Sequence, residues 1–123
     1  MVVLVVEDEL ELRQLLELWF ASYGAHVYSA DSVVAAVAIL ATNTIDILVS
    51  DIVMRDQDGY ALIRHIRALE DVAKRGIPAI AFTTCACPRE RQRCLDAGFT
   101  LHIAKPVAPK LLAEAVLSLA GRR

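Results

Sequence analysis

The sequence predicts an α/β fold, a doubly wound parallel sheet of five strands wrapped on both faces by five helices. Three observations predict it. Apolar runs of four to six residues alternate along the chain with stretches of helical periodicity. These runs are nearly continuous Val, Ile, Leu and Ala, as in strands buried on both sides. Apolar residues make up 56% of the chain and aromatic ones only 6%, which suits strands under helices better than a small barrel. At 123 residues the chain fits one domain, expected over residues 1–123.

The elements follow in order. Residues 2–6 form the first strand. They run straight into Glu7-Asp8-Glu9, with no basic segment or small-residue cleavage site, so they read as a strand and not a leader. From about residue 9 to 22, Leu12, Leu15, Leu16, Trp19 and Tyr23 recur at helical spacing, and Gly24 stands where a left-handed residue ends a helix. Residues 25–29 form the second strand. Asp31 or Ser32 caps a helix rich in Val and Ala that ends near residue 41. The third strand, residues 45–50, delivers Asp51 at its end. A loop over 52–58 leads into a helix over about 59–69. The fourth strand, 77–82, is introduced by Gly76 and Pro78. A polar fourth helix covers about 88–97 and stops at Gly98. A short fifth strand, 100–104, precedes a last helix over about 107–119. There is no internal repeat, low-complexity tract or linker.

Charge and cysteine content narrow the function. A net charge of −2 gives no bulk attraction to nucleic acid or anionic lipid, and neither is expected as a partner. No uncharged apolar stretch is long enough to cross a bilayer. Three cysteines without a leader suggest reduced thiols and a cytoplasmic location. Cys85, Cys87 and Cys94 match no common zinc spacing and read as small buried or half-buried thiols, with a redox effect on their loop as the alternative. Arg89, Arg91 and Arg93 make a solvated face or a contact for an acidic partner. Leu10, Gln14 and Leu18 form a row off the apolar stripe of the first helix. They are scattered exposed residues, or they mark a docking or dimer patch.

Parallel sheets of this class bind ligands beyond the carboxyl ends of their strands. The residues expected there are Glu7, Asp8, Asp51, Thr83, Thr84 and Lys105. If the first and third strands are neighbours, Glu7, Asp8 and Asp51 converge. Converging carboxylates repel unless a cation joins them, and a hard divalent ion, Mg²⁺ or Mn²⁺, suits an all-oxygen set. Acids at a helix start are the alternative for Glu7 and Asp8. Asp51, rigidly held at a strand end, is a candidate nucleophile. Lys105 stands near a helix start, where the dipole disfavours a cation, so pairing with Asp51 explains it better. Thr83 adds a hydroxyl. Acids that bind metal, an acidic nucleophile, a lysine and a hydroxyl together make a phosphoryl-transfer site.

These residues resemble the receiver domains of two-component response regulators, over essentially the whole chain. The resemblance rests on Glu7-Asp8, on Asp51-Ile52-Val53-Met54 followed by Asp58-Gly59, on Thr83, and on Lys105-Pro106, in that order. It implies a flavodoxin-like sheet of order 2-1-3-4-5. It implies that Asp51 accepts a phosphoryl group from a sensor histidine kinase or phosphotransfer protein, and that Asp8, Asp51 and the Val53 carbonyl bind Mg²⁺ with Glu7 helping through water. Lys105 and Thr83 then contact phosphoryl oxygens. Thr83 and the residue at His102 switch the face formed by the fourth helix, fifth strand and last helix, which a downstream protein reads. Such a domain is a signalling module, not an enzyme, although it assists its own phosphorylation and dephosphorylation.

Several positions depart from the family pattern. Arg55 replaces a Pro, Gln57 a hydrophobic residue and His102 an aromatic one. His102 is either a rotating, titratable switch or a half-exposed histidine without that role. Thr84, larger than the usual Ala or Gly, is expected to narrow access to Asp51, and the apolar Val53 points the same way. The rival readings are a phosphorylation-independent interaction domain and a phosphatase with an aspartate nucleophile. The second lacks its required acid at Val53. No Gly-x-Gly-x-x-Gly follows the first strand, which disfavours dinucleotide binding. A free-standing regulator and a segment of a longer protein fit the sequence equally.

Overall fold

The structure is a computed structural model that describes residues 1–85 and 87–121. Five parallel strands, β1 (Val2–Val6), β2 (His26–Ala30), β3 (Ile47–Ser50), β4 (Ala79–Thr83) and β5 (Leu101–Ala104), form one sheet in the order β2-β1-β3-β4-β5. The helices are α1 (Leu10–Ser22), α2 (Val33–Thr42), α3 (Gly59–Arg67), α4 (Val72–Arg75), α5 (Pro88–Ala97) and α6 (Pro109–Ala120).

Side-chain alternation along each strand divides the core in two. Val3, Val5, Ile47, Val49, Ile80 and Phe82 pack under α1 and α6, against Leu16, Phe20, Leu112 and Val116. Leu4, Val6, Leu48, Ala79 and Ala81 face the other way, under Ala36, Leu40, Leu62, Ile63 and Ile66 of α2 and α3 and Cys94 of α5. Both faces of the central strands are therefore dry, which is why their sequences are unbroken apolar runs.

The sequence predicts five helices, and the described residues form six. The addition, α4, is one turn between α3 and β4, too short to show a periodicity. Its cue is Asp71, whose carboxylate accepts the Ala73 and Lys74 amides at 3.0 and 3.2 Å. The expected fourth helix is therefore α5. Ser32, not Asp31, caps α2 by accepting the Ala35 amide at 3.1 Å. On α1 the buried residues are Leu16 and Phe20, while Leu15 and Tyr23 of the expected stripe are exposed. Leu10 and Leu18 are exposed as their off-stripe positions suggest.

Four strand starts shift: β5 begins at Leu101, after Thr100, whose hydroxyl accepts the Ala79 amide at 3.0 Å, and the other three also shift for local reasons. The Ala25 amide is spent on Phe20 at the end of α1, so β2 begins at His26. Asp46 turns its carboxylate to the Val2 amide at 2.7 Å, and β3 begins after it. Pro78 has no N–H to give the ladder, so β4 begins at Ala79 and extends to Thr83. The Ile77 carbonyl ahead of it accepts from the Arg67 guanidinium at 2.6 Å.

Candidate functional site

The register brings the strand ends together. Val6 pairs with Ser50, so Glu7 and Asp51 emerge side by side from β1 and β3. Thr83 pairs with Ala104, and the Lys105 amide donates to the Thr83 carbonyl at 2.8 Å. From there the Lys105 Nζ reaches across the sheet ends to Glu7 Oε1 at 2.6 Å and Asp51 Oδ2 at 2.8 Å. It also lies 5.3 Å from the centre of the Phe82 ring. Lys105 is separated from α6 by Pro106, Val107 and Ala108, so the dipole of that helix does not oppose it.

Burial makes this ion triad energetically large. Glu7 is 2% exposed, and Lys105 and Asp51 side chains are 12% and 14% exposed. Burial raises the Glu7 pKa above its ordinary value, and the hydrogen bond and charge of Lys105 only partly offset that. Burial likewise opposes the Lys105 charge. The hydrogen bonds and charges of Asp51 and Glu7 outweigh it and raise the amine above its usual value.

The expected convergence of three carboxylates is only partly met. Glu7 and Asp51 meet at Lys105, but Asp8 is drawn to Arg55, whose Nε lies 3.9 Å from Asp8 Oδ2 and whose Nη2 donates to the Asp8 carbonyl at 3.2 Å. Among the described residues no three acidic, His or Cys side chains form a metal-holding group. Two carboxylates, Asp8 and Asp51, with main-chain carbonyls of the following loop, nevertheless suit a hard divalent ion that keeps most of its waters.

The loop from Asp51 to Asp58 is fastened at several points that the sequence did not reveal. The Ile52 amide donates to Asp51 Oδ1 at 2.6 Å, and Ser50 Oγ to the Asp51 carbonyl at 2.8 Å. Asp58 caps α3 through the Ala61 amide at 2.8 Å. Asp56 reaches to another helix and accepts the Val33 and Val34 amides of α2, each at 3.1 Å. Slight desolvation opposes the Asp56 charge, but the Val34, Gln57 and Val33 amides prevail and hold its pKa below the ordinary value. Its stabilising contribution is therefore present above about pH 3.8 and lost as pH falls through the lower folded value. Asp56→Asn is expected to flatten this acid limb, read as the urea midpoint between pH 5 and pH 2.

A family model of the response regulator receiver domain matches residues 3–117. The chain belongs to that family. It is 35% identical to the sensor histidine kinase RcsC of Salmonella typhimurium over 122 residues, 99% of this chain and 12% of that protein. The chain thus spans a small part of the curated relatives of this kind. A 14.6 kDa uncharacterized protein of Leptolyngbya boryana is 36% identical, with 87% of this chain and 80% of that protein covered. Among solved structures, the signal receiver domain of a signal transduction histidine kinase from Syntrophus aciditrophicus superposes with a TM-score of 0.89. It is 30% identical, with 98% and 90% of the two chains covered.

In this receiver domain His102 lies half-buried on β5, and its Nε2 is 3.0 Å from the Cys85 carbonyl. A carbonyl has no proton to give, so Nε2 carries the hydrogen. His102 thus ties β5 to the loop after β4. Thr84 and Val53 are exposed beside the site. The thiols divide against expectation. Cys94 is buried, but Cys85 and Cys87 are both exposed. Arg89, Arg91 and Arg93 are exposed on α5, and the Arg93 guanidinium lies 4.2 Å from the centre of the Tyr60 ring. The Tyr60 hydroxyl donates to Glu90. No described helix is long and apolar enough to cross a membrane.

Proposed function

We propose that this receiver domain accepts a phosphoryl group on Asp51 from the phosphohistidine of a sensor histidine kinase or phosphotransfer protein. The observation that carries the reading is the Lys105 amine held between Asp51 Oδ2 and Glu7 Oε1. A buried lysine pinned to one carboxylate oxygen is placed to follow that oxygen's phosphoryl group. In the transfer an Asp51 oxygen attacks phosphorus, the P–N bond breaks, and the imidazole keeps the electron pair. Lys105 and the Thr83 hydroxyl then donate to phosphoryl oxygens. Asp8, Asp51 and the Val53 carbonyl would hold Mg²⁺ or Mn²⁺, with Glu7 acting through water. When bound, the ion offsets the charge of the carboxylates and of the incoming group. Thr83 and His102 would carry the change to the face of α5, β5 and α6, where a downstream protein binds. A cytoplasmic setting suits this chemistry.

Intact mass after incubation with acetyl phosphate tests the reading. A gain of about 80 Da, one phosphoryl group, is expected with Mg²⁺ and none without it or in Asp51→Asn. No gain with acetyl phosphate or any histidine kinase would leave the phosphorylation-independent interaction domain. Arg55 gives a separate test. Its exposed pairing with Asp8 competes with a cation, so Arg55→Ala is expected to lower the Mg²⁺ Kd about two- to fivefold, measured by calorimetry.

A further inference from the structure

Two of the three thiols face each other in solvent. Cys85 Sγ and Cys87 Sγ are 3.1 Å apart, and both residues are exposed. They occupy the loop between β4 and α5, where Cys87 is the N-cap residue of α5 and the Cys85 carbonyl is held by His102. Cys94, in contrast, is buried at 0% exposure with its Sγ 3.8 Å from the Tyr60 hydroxyl.

The two exposed sulfurs are not equivalent. The Cys85 thiol, and after it the Glu90 amide in the first turn of α5, lower the Cys87 pKa. For Cys85 the Cys87 amide favours the thiolate. The hydrogen bond shared with the Cys87 sulfur, slight desolvation and the charges of Cys87 and Glu90 outweigh it and leave the pKa raised. One sulfur is disposed to ionise beside another that keeps its proton. An attacking and a resolving thiol need that asymmetry.

We propose that Cys85 and Cys87 form a reversible modification site, a dithiol that a peroxide closes to an intramolecular disulfide and a small thiol reductant reopens. The Cys87 thiolate attacks a peroxide oxygen and the O–O bond breaks. The leaving hydroxide takes up the proton that Cys87 released and departs as water, leaving a sulfenic acid. Cys85 Sγ then attacks that sulfur. The S–S bond forms, the S–O bond breaks, and a second water leaves with the Cys85 proton. Two thiols and one peroxide give one disulfide and two waters, so the protein loses two electrons and the peroxide gains them. The resolving sulfur is already beside the attacking one, so the second step needs only a local movement of the loop. The disulfide would close within the segment that joins Thr83 to α5, and being exposed it would be readily reduced. Nothing in this chemistry depends on phosphoryl transfer.

The test treats the full chain with hydrogen peroxide, then reads intact mass and free thiols after denaturation. Both sulfurs lie in one tryptic peptide, residues 76–89, and Cys94 lies in another. A mass loss of about 2 Da within that peptide is expected. One titratable thiol of the three should remain, and dithiothreitol should restore all three. Cys85→Ser and Cys87→Ser should abolish the loss, and Cys94→Ala should keep it. Three surviving thiols, a gain of about 32 Da at one sulfinic acid, or a disulfide-linked dimer would overturn the proposal. None of these readouts uses acetyl phosphate, so they fail or succeed apart from the phosphoacceptor reading.

Discussion

Lys105→Ala is expected to destabilise the fold by about 3 kcal/mol at neutral pH, the cost of stranding buried charge after removing its partner. Each carboxylate of the triad has one oxygen on a backbone amide: Glu7 Oε2 accepts Glu9 at 3.3 Å and Asp51 Oδ1 accepts Ile52 at 2.6 Å. The other oxygen of each is held by Lys105. Without the amine, two buried carboxylates confront each other. Glu7 is the more buried and is the one to protonate. Desolvation already raises its pKa, the Asp51 charge adds to that, and Lys105 supplies the main opposing effects. A raised carboxyl pKa means the folded state keeps a proton that the unfolded chain releases above about pH 4.5. Stability therefore falls as pH rises from there toward the folded value. In the variant that value is higher, so the decline continues further. The gap between wild type and variant should be small near pH 4.5 and widest around neutrality. The raised amine of the wild type holds its contribution below about pH 10.5 and loses it as pH passes the folded value, so the gap narrows again in strong alkali. Urea midpoints at pH 4.5 and 8 with unchanged slope measure it. Equal gaps at the two pH values would defeat the buried-charge account. Glu7→Gln added to Lys105→Ala should recover part of the loss, since it removes one of the stranded charges.

The sheet was legible from the sequence because its central strands β1, β3 and β4 are buried on both faces and read as apolar runs, while the edge strands β2 and β5 are only partly buried and carry polar residues such as Ser29 and His102. The strand ends were legible for the same reason: polarity returns abruptly at Glu7, Asp51, Thr83 and Lys105. Partnerships at those ends were less visible. The Lys105–Glu7 contact joins residues 98 positions apart, and its existence depends on how far an amine reaches over the twisted sheet edge. Asp8 was expected among the other carboxylates, yet Arg55 draws it aside. Asp56 reads as a loop residue and instead caps a helix that lies earlier in the chain. Helix α4 has no periodicity to find, and the exposure of Cys85 and Cys87 follows from a loop path that composition does not specify. Local patterns encoded the elements, while side-chain reach across elements determined the site's electrostatics.

Gly59→Ala should cost about 3 kcal/mol and displace Asp51 as well, whereas Gly24→Ala should cost only about 1 kcal/mol. The two glycines are needed for different reasons. Gly24 adopts φ +86° after α1 with nothing within 4 Å of a would-be Cβ, so alanine there meets only the strain of the left-handed region. Gly59 opens α3, and its amide donates to the Ile52 carbonyl at 2.7 Å. A Cβ there would collide with the Asp51 carbonyl oxygen and lie 2.9 Å from the Ile52 Cα. Both obstacles are backbone and cannot rotate away. The chain must yield by moving α3 outward or by turning the Asp51–Ile52 peptide. Moving α3 opens the packing of Tyr60, Leu62 and Ile63, which are at most 2% exposed. Turning the peptide breaks the Ser50 hydroxyl's bond to the Asp51 carbonyl and shifts the carboxylate from Lys105. Either route couples stability to the site. Gly59→Ala should thus lower the urea midpoint and slow phosphoryl uptake from acetyl phosphate, while Gly24→Ala lowers the midpoint slightly and leaves uptake unchanged. If Gly59→Ala lost stability but kept the wild-type uptake rate below its unfolding transition, α3 alone would have moved, and Gly59 would serve packing without positioning Asp51.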